Sequence, residues 1–212
     1  MDPLSVVLGA AGFGLGLAAD RLATRWPEHD EEHPPGRAVD WRTAATALVG
    51  AFAFGLLPLR FAVDPLALVV FGAWFATLVV GLATDLDQRL LPDVLTLPVI
   101  PVAIVYALSG ANPLVGSELL PAVVAAVAIP LVLYLPSIPF GAGAFGIGDV
   151  KLLVGIGLLV GGSRGLGAAF FALLVSGVVL LVLLAARRIG RRTYVPFGPF
   201  FIIGALWAAL IR

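Results

Sequence analysis

Apolar residues gather into eight stretches along the chain, at about 3 to 19, 43 to 61, 65 to 84, 94 to 108, 118 to 139, 150 to 162, 165 to 186 and 195 to 211. Most approach the ~20 residues that a helix needs to cross a bilayer. The pattern therefore predicts an all-α fold, a polytopic integral membrane bundle of about eight transmembrane helices forming one membrane domain over residues 1–212. The stretches at 94 to 108 and 150 to 162 are short, so their helices are expected to start within the interface or to tilt little. Pro58, Pro98, Pro101, Pro121 and Pro130 fall inside the stretches, and kinks are expected there. The one substantial polar segment, residues 20–42, contains EHDEEHPPG and reads as an irregular loop too small to fold alone. The first stretch has Asp2 where a secretory signal would carry basic residues, so it is read as a retained span.

Composition strengthens this picture. Hydrophobic residues are 60% of the 212 and charged residues 12%, with mean hydropathy +1.07. Soluble domains run near half apolar and a quarter charged, so the lipid bilayer is the expected partner for most of this surface. A formal net charge of zero, without a basic cluster interleaved with aromatics, excludes a nucleic-acid-binding reading. There is no cysteine, so disulfides and thiolate metal sites are excluded.

Charge then orients the chain. Arg21, Arg25, Arg37, Arg42, Arg89, Lys151, Arg187, Arg188, Arg191 and Arg192 fall in the connections after spans one, three, five and seven, whereas only Arg60, Arg164 and Arg212 fall on the other side. Basic residues in short loops stay in the cytoplasm. The odd-numbered connections, including the loop 20–42, are thus expected inside and both termini outside, in an inner or plasma membrane.

Two acidic edges stand out. Asp85 follows GAWFATLVVGLAT and Asp149 precedes VKLLVGIGLLVG, so each is expected where a span meets the interface, a costly place for an ionisable group. Sixty-four residues separate them, enough for an excursion of two spans that returns the chain to the same cytoplasmic face. Two carboxylates within hydrogen-bonding reach share a proton and titrate as a pair. The ionised member can deprotonate a water attacking a peptide carbonyl, and the protonated member can donate to the oxyanion and then to the leaving amine. Neither metal nor cofactor is required. Gly146 and Gly148 precede Asp149 and are expected to allow φ > 0 and a close-lying substrate backbone. Asp87, Pro92, Asp93 and Lys151 complete the supporting candidates, in loops 85–93 and 141–149 or just beyond. A plainer account takes the glycines as packing residues and Asp93 as the cap of the fourth span.

These blocks resemble those of the type IV prepilin peptidases, membrane aspartyl proteases with a G-x-G-D motif. TDLDQRLLPD at 84 to 93 is similar to the first aspartate block of that family, and FGIGDVKLL at 145 to 153 to the second. VPFGPFFIIGAL at 195 to 206 resembles its closing span, and VDWRT at 39 to 43 the start of its second. The resemblance implies that Asp85 and Asp149 are the catalytic pair of an endopeptidase. It also implies a substrate, a type IV pilin-like or pseudopilin precursor whose short basic leader is cut before a hydrophobic run. Many bacterial members also N-methylate the new terminus and carry C-x-x-C pairs that look like a zinc site in a longer first loop. Here that loop is short and cysteine-free, and the glutamate common near the start of the second span is absent from RTAATALVGA. Cleavage without methylation is the expectation.

Other signals carry less. His29 and His33 enclose HDEEH, but Asp30 stands where a zincin has glutamate and Pro27, Pro34 and Pro35 oppose a helix. A solvated acidic loop is expected instead. Gly9, Gly12, Gly14 and Gly16 read as helix-packing positions, and the arginines from 187 to 192 as anchors for anionic lipid. A presenilin-like protease shares G-x-G-D, but no P-A-L motif is present. The alternative from another class is a small transporter relaying protons through the same aspartates, a reading that wants acids near the bilayer midplane.

Overall fold

The computed structural model describes residues 2–31, 33–140, 145–190 and 195–211. All regular structure in them is helical. In chain order the helices are α1 (Pro3–Ala23), α2 (Trp41–Phe61), α3 (Pro65–Gln88), α4 (Asp93–Thr96), α5 (Val99–Leu108), α6 (Leu119–Tyr134), α7 (Ile147–Val160), α8 (Gly162–Ala185) and α9 (Gly198–Leu210), with a 3₁₀ turn at Leu135–Phe140. Every apolar stretch of the sequence contains one of these helices. Five are long and apolar enough to cross a membrane: α1, α2, α3, α8 and the run Leu119–Ile138. The remaining stretches form shorter helices. The 14 residues of α7 rise only about 21 Å, against a hydrocarbon core near 30 Å.

Local chemistry sets the ends. Asp2, Asp40 and Asp64 cap α1, α2 and α3 through their side chains, with Pro3 and Pro65 in the first turns of α1 and α3. These residues suit helix starts, where a side-chain oxygen replaces a missing acceptor and proline's absent N–H is not needed. Pro101 and Pro121 likewise lie in first turns, and Pro98 separates α4 from α5. Only Pro58 and Pro130 are deep within helices, so three of the five expected kinks have no helix interior to bend. Gly161 ends α7 and starts α8 at φ +84°. A Cβ there would be strained and would sit 3.1 Å from the Leu114 carbonyl oxygen.

The chain divides into two compact units, Met1–Val99 and Ile100–Arg212. In the first, α1 packs on both α2 and α3, and α2 on α3. Gly12 and Gly50 meet so closely that a Cβ on either would collide with the other's carbonyl oxygen, and one on Gly16 would collide with that of Thr46. Gly9 approaches Gly55, but Gly14 faces open space. Three of the four α1 glycines thus do the packing expected of them. Phe61 stacks on Phe71 at 4.4 Å, and Trp74 and Phe75 extend this cluster. Nearer the other end of α3, Ala19 and Ala23 of α1 pack against Val79 and Ala83.

In the second unit, α6 packs on α7 and α8, while α9 packs on α7 and α8. A Cβ on Gly157 would come within 2.5 Å of the Ala126 nitrogen. Phe171 and Trp207 stack at 4.8 Å between α8 and α9. Asn112, buried before α6, donates to the Leu159 carbonyl at 2.9 Å and accepts from the Leu114 amide, tying that loop to the end of α7.

Candidate active site

Asp85 lies in the last turn of α3. The helix ends three residues later because Arg89 turns into the left-handed region at φ 57°, its amide still bonded to the Asp85 carbonyl at 3.0 Å. Pro92 follows, which cannot continue a helix of the same register. The Asp85 side chain is buried, at 4% exposure. Pro92 itself occupies the N-cap position of α4, and Asp93 is the first helical residue, exposed and not the cap expected of it.

Asp87 is also buried, at 6%, and its surroundings are dense. Arg37 Nε donates to its Oδ1 at 2.6 Å, Arg42 Nη1 lies 3.5 Å from the same oxygen, and His29 Nε2 lies 3.5 Å from Oδ2. Arg37 also pairs with Asp20 of α1 and with Asp40, each at 2.5 Å. Asp20 is completely buried and further accepts from Arg21 and, at 2.7 Å, from the Thr43 hydroxyl. Burial alone would weaken the Arg37 cation, but its bonds to Asp87 and Asp20 and the nearby carboxylate charges hold it above the usual guanidinium range. Gln88 completes the joint, its amide donating to the carbonyls of Ala23 at 3.0 Å and Pro27 at 3.3 Å.

The segment between α1 and α2 is therefore irregular, as expected, but not simply solvated. His29 is 5% exposed at its side chain and faces Asp87 and Gln88. His33 instead meets Asp30 at 3.0 Å. The two histidines of HDEEH have different partners. Sequence reasoning counted Arg37 only as an orienting charge and missed its role as the hub of three carboxylates. The sole signal was the charge density of the segment, which names no partners.

Asp149 sits in the first turn of α7, at 7% exposure. Its carboxylate accepts a hydrogen bond from the Gly146 backbone, and a negative side chain suits a helix N-terminus, where backbone N–H groups lack intrahelical acceptors. Gly146 is the N-cap at φ −76°, ψ 146°, and Gly148 lies within the helix. The positive φ expected of this pair is not what they supply. What Gly146 supplies is a close approach to Asp149: among the described residues, the nearest atom to a Cβ there would be a carboxylate oxygen of Asp149, at 3.5 Å. Lys151 lies two residues further into α7, half-buried, and so about 200° round the helix from Asp149. Phe145 packs edge-on against Phe201 of α9 at 5.8 Å, and Phe197 lies 6.3 Å from Phe201. The FGIGD block thus packs against α9 at the residue that directly follows PFGPF. Residues 141–144 of the expected loop 141–149 lie outside the described residues.

Asp85, Asp87, Pro92 and Asp93 belong to the first unit, and Gly146, Gly148, Asp149 and Lys151 to the second. In each, a buried aspartate occupies a terminal region of a helix whose end is set by local sequence.

Comparison with known proteins bears on the same segments. Residues 71–211 match the family model described as the Type IV leader peptidase family. A prepilin leader peptidase/N-methyltransferase from Stutzerimonas stutzeri is 34% identical over 128 residues, which is 60% of this chain and 44% of that protein. One of the same name from Burkholderia pseudomallei (strain K96243) is 30% identical over 155 residues, 73% of this chain and 50% of that protein. One from Aeromonas hydrophila is 33% identical over 131 residues, covering 60% and 43%. The chain spans about half the length of the curated relatives it matches. No solved structure matches it. The matched region holds both aspartate blocks and the closing helix, and on that extent of match this helical membrane protein belongs to the type IV leader peptidase family.

Proposed function

We propose that this chain is a membrane aspartyl endopeptidase that removes the short basic leader of type IV pilin-like or pseudopilin precursors at the cytoplasmic membrane face. The observation that carries the reading is that both acidic blocks within the family match, TDLDQRLLPD and FGIGDVKLL, present a buried aspartate near a helix terminus. The excess of Lys and Arg in the odd-numbered connections supports the cytoplasmic orientation of both.

In this reading Asp85 and Asp149 share one proton. The ionised carboxylate takes a proton from water as its oxygen bonds to the scissile carbonyl carbon, and the protonated carboxyl hydrogen-bonds the developing oxyanion. Collapse of the tetrahedral intermediate breaks the C–N bond. The amine leaves with a proton from the carboxyl group, and the product carboxyl and the dyad end in their starting protonation balance. Gly146 and Gly148, bearing no side chains, leave room for an extended substrate backbone beside Asp149. Curated relatives are named for methyl transfer as well as cleavage, and we assign cleavage alone to this chain, whose connection between α1 and α2 is short and cysteine-free.

The test is to reconstitute the purified chain in liposomes with a pilin-like precursor and to sequence the product's N-terminus. A new terminus at the leader junction is the expected result. Aspartate-dependent proton flux without any cleavage would replace this function with the transport reading.

A further inference from the structure

The first unit carries a linkage that the peptide chemistry above does not use. Arg37 extends from an irregular segment and bonds one carboxylate from each of three places: Asp20 near the end of α1, Asp40 at the cap of α2, and Asp87 near the end of α3. The segment is itself closed on its base, since the Gly36 amide donates to the Thr24 carbonyl at 2.8 Å. Gln88 then fastens the last turn of α3 to the Ala23 and Pro27 carbonyls. Three helix ends are therefore joined through one guanidinium, whose planar fork can meet several carboxylates at once where a lysine ammonium offers a single point of charge.

The consequence falls on Asp85. On an α-helix at about 100° per residue, side chains two positions apart point about 200° apart. With Asp87 drawn toward Arg37 and His29, the rotation of α3 about its axis is set, and Asp85 is turned to the opposite side of the helix. Asp87 and Gln88 together also oppose fraying of a helix end that closes on a non-glycine residue in the left-handed region.

We propose that Arg37, acting through Asp87, is a positioning residue that sets the rotation and depth of the Asp85 carboxyl, so that residues 24–40 serve as a strap for the reactive helix end. The proposal rests on the peptidase reading. It reassigns Asp87, whose carboxylate is occupied by the strap, from substrate contact to support.

The experiment compares Arg37→Gln, Asp87→Asn and the double variant in reconstituted, full-length protein. Each single variant is expected to lower kcat by about tenfold or more, the scale of a small misplacement of a reacting group, while KM stays within about twofold. The double variant should fall no further than the worse single, because both changes break one linkage. Asp87→Asn leaves Arg37 its bonds to Asp20 and Asp40, so it keeps the test open if Arg37→Gln does not fold. A raised KM with parental kcat, or parental kinetics in both single variants, would overturn the proposal. Amide hydrogen exchange of the same proteins gives a readout independent of activity. Faster exchange at residues 84–89 in the variants supports the strap, and unchanged exchange there overturns it. If the parental chain cleaves no precursor, the peptidase reading fails by itself, and the exchange result still decides whether Arg37 holds the end of α3.

Discussion

Arg37 Nε lies 2.6 Å from Asp87 Oδ1 across fifty residues of sequence, and the same guanidinium reaches Asp20 on another helix. Nothing in the local sequence of either aspartate names this partner. The ion pairs make the region between α1 and α2 part of the folded first unit.

Asp20 is the most demanding member of the cluster, being completely buried with Arg21, Arg37 and Thr43 as donors. Asp20→Ala leaves those donors without their common acceptor, and removing one partner of a buried pair costs about 3 kcal/mol. Thermal unfolding in detergent is expected to show a large drop in midpoint. A midpoint close to that of the parent would mean that the cluster contributes little to folding.

Asp85→Asn and Asp149→Asn are each expected to reduce leader cleavage by roughly a thousandfold, the loss typical of a missing acid–base group, while the proteins still insert. Combining them should cost little beyond either alone, because the two act as a unit. Single-turnover cleavage of a co-reconstituted precursor measures this. Retained cleavage by either single variant would remove that residue from the pair.

The helix contact between α1 and α2 provides an internal control. Gly12→Val drives a side chain into the Gly50 carbonyl and should destabilise the protein by about 1–3 kcal/mol, whereas Gly14→Val points into open space and should change stability by less than about 0.5 kcal/mol. Equal effects in an unfolding assay would contradict the packing described for this pair of helices.

In the second unit, Asn112→Ala leaves the Leu159 carbonyl and the Leu114 amide without their side-chain partner. A loss of about 1–3 kcal/mol is expected from leaving such groups unsatisfied. Hydrogen exchange should rise at Leu114 first. Protection equal to that of the parent there would show that the Asn112 side chain does not hold this loop.

Much of the helical architecture was legible in the sequence, and the reason is local. Each apolar stretch contains at least one helix, although the caps that Asp2, Asp40 and Asp64 supply were seen only in the structure. Gly12 and Gly16 were recognisable as packing positions because only small residues let helix backbones meet in lipid. The acidic blocks were legible as motifs. Less legible were the helix ends: Asp93 read as a cap, but Pro92 holds that position, and Gly146 read as a positive-φ residue, but its backbone is extended. A side chain's type allows such roles, and the course of the surrounding chain selects among them.

What the sequence determined by itself was what a nonpolar solvent enforces at short range: apolar runs of a given length must satisfy their backbone within helices, so the order of those helices along the chain follows from the pattern. The identity of Asp85 and Asp149 as the residues to watch came from the same source, since a costly acid beside an apolar run stands out without any coordinates. Only the tertiary structure decided what each charge faces. Asp20, Arg37 and Asp87 lie seventeen and fifty residues from one another along the chain, and a carboxylate carries no local preference for one guanidinium over another. Folding brought the three helix ends together, burial made an unpaired charge there expensive, and geometry then selected Arg37.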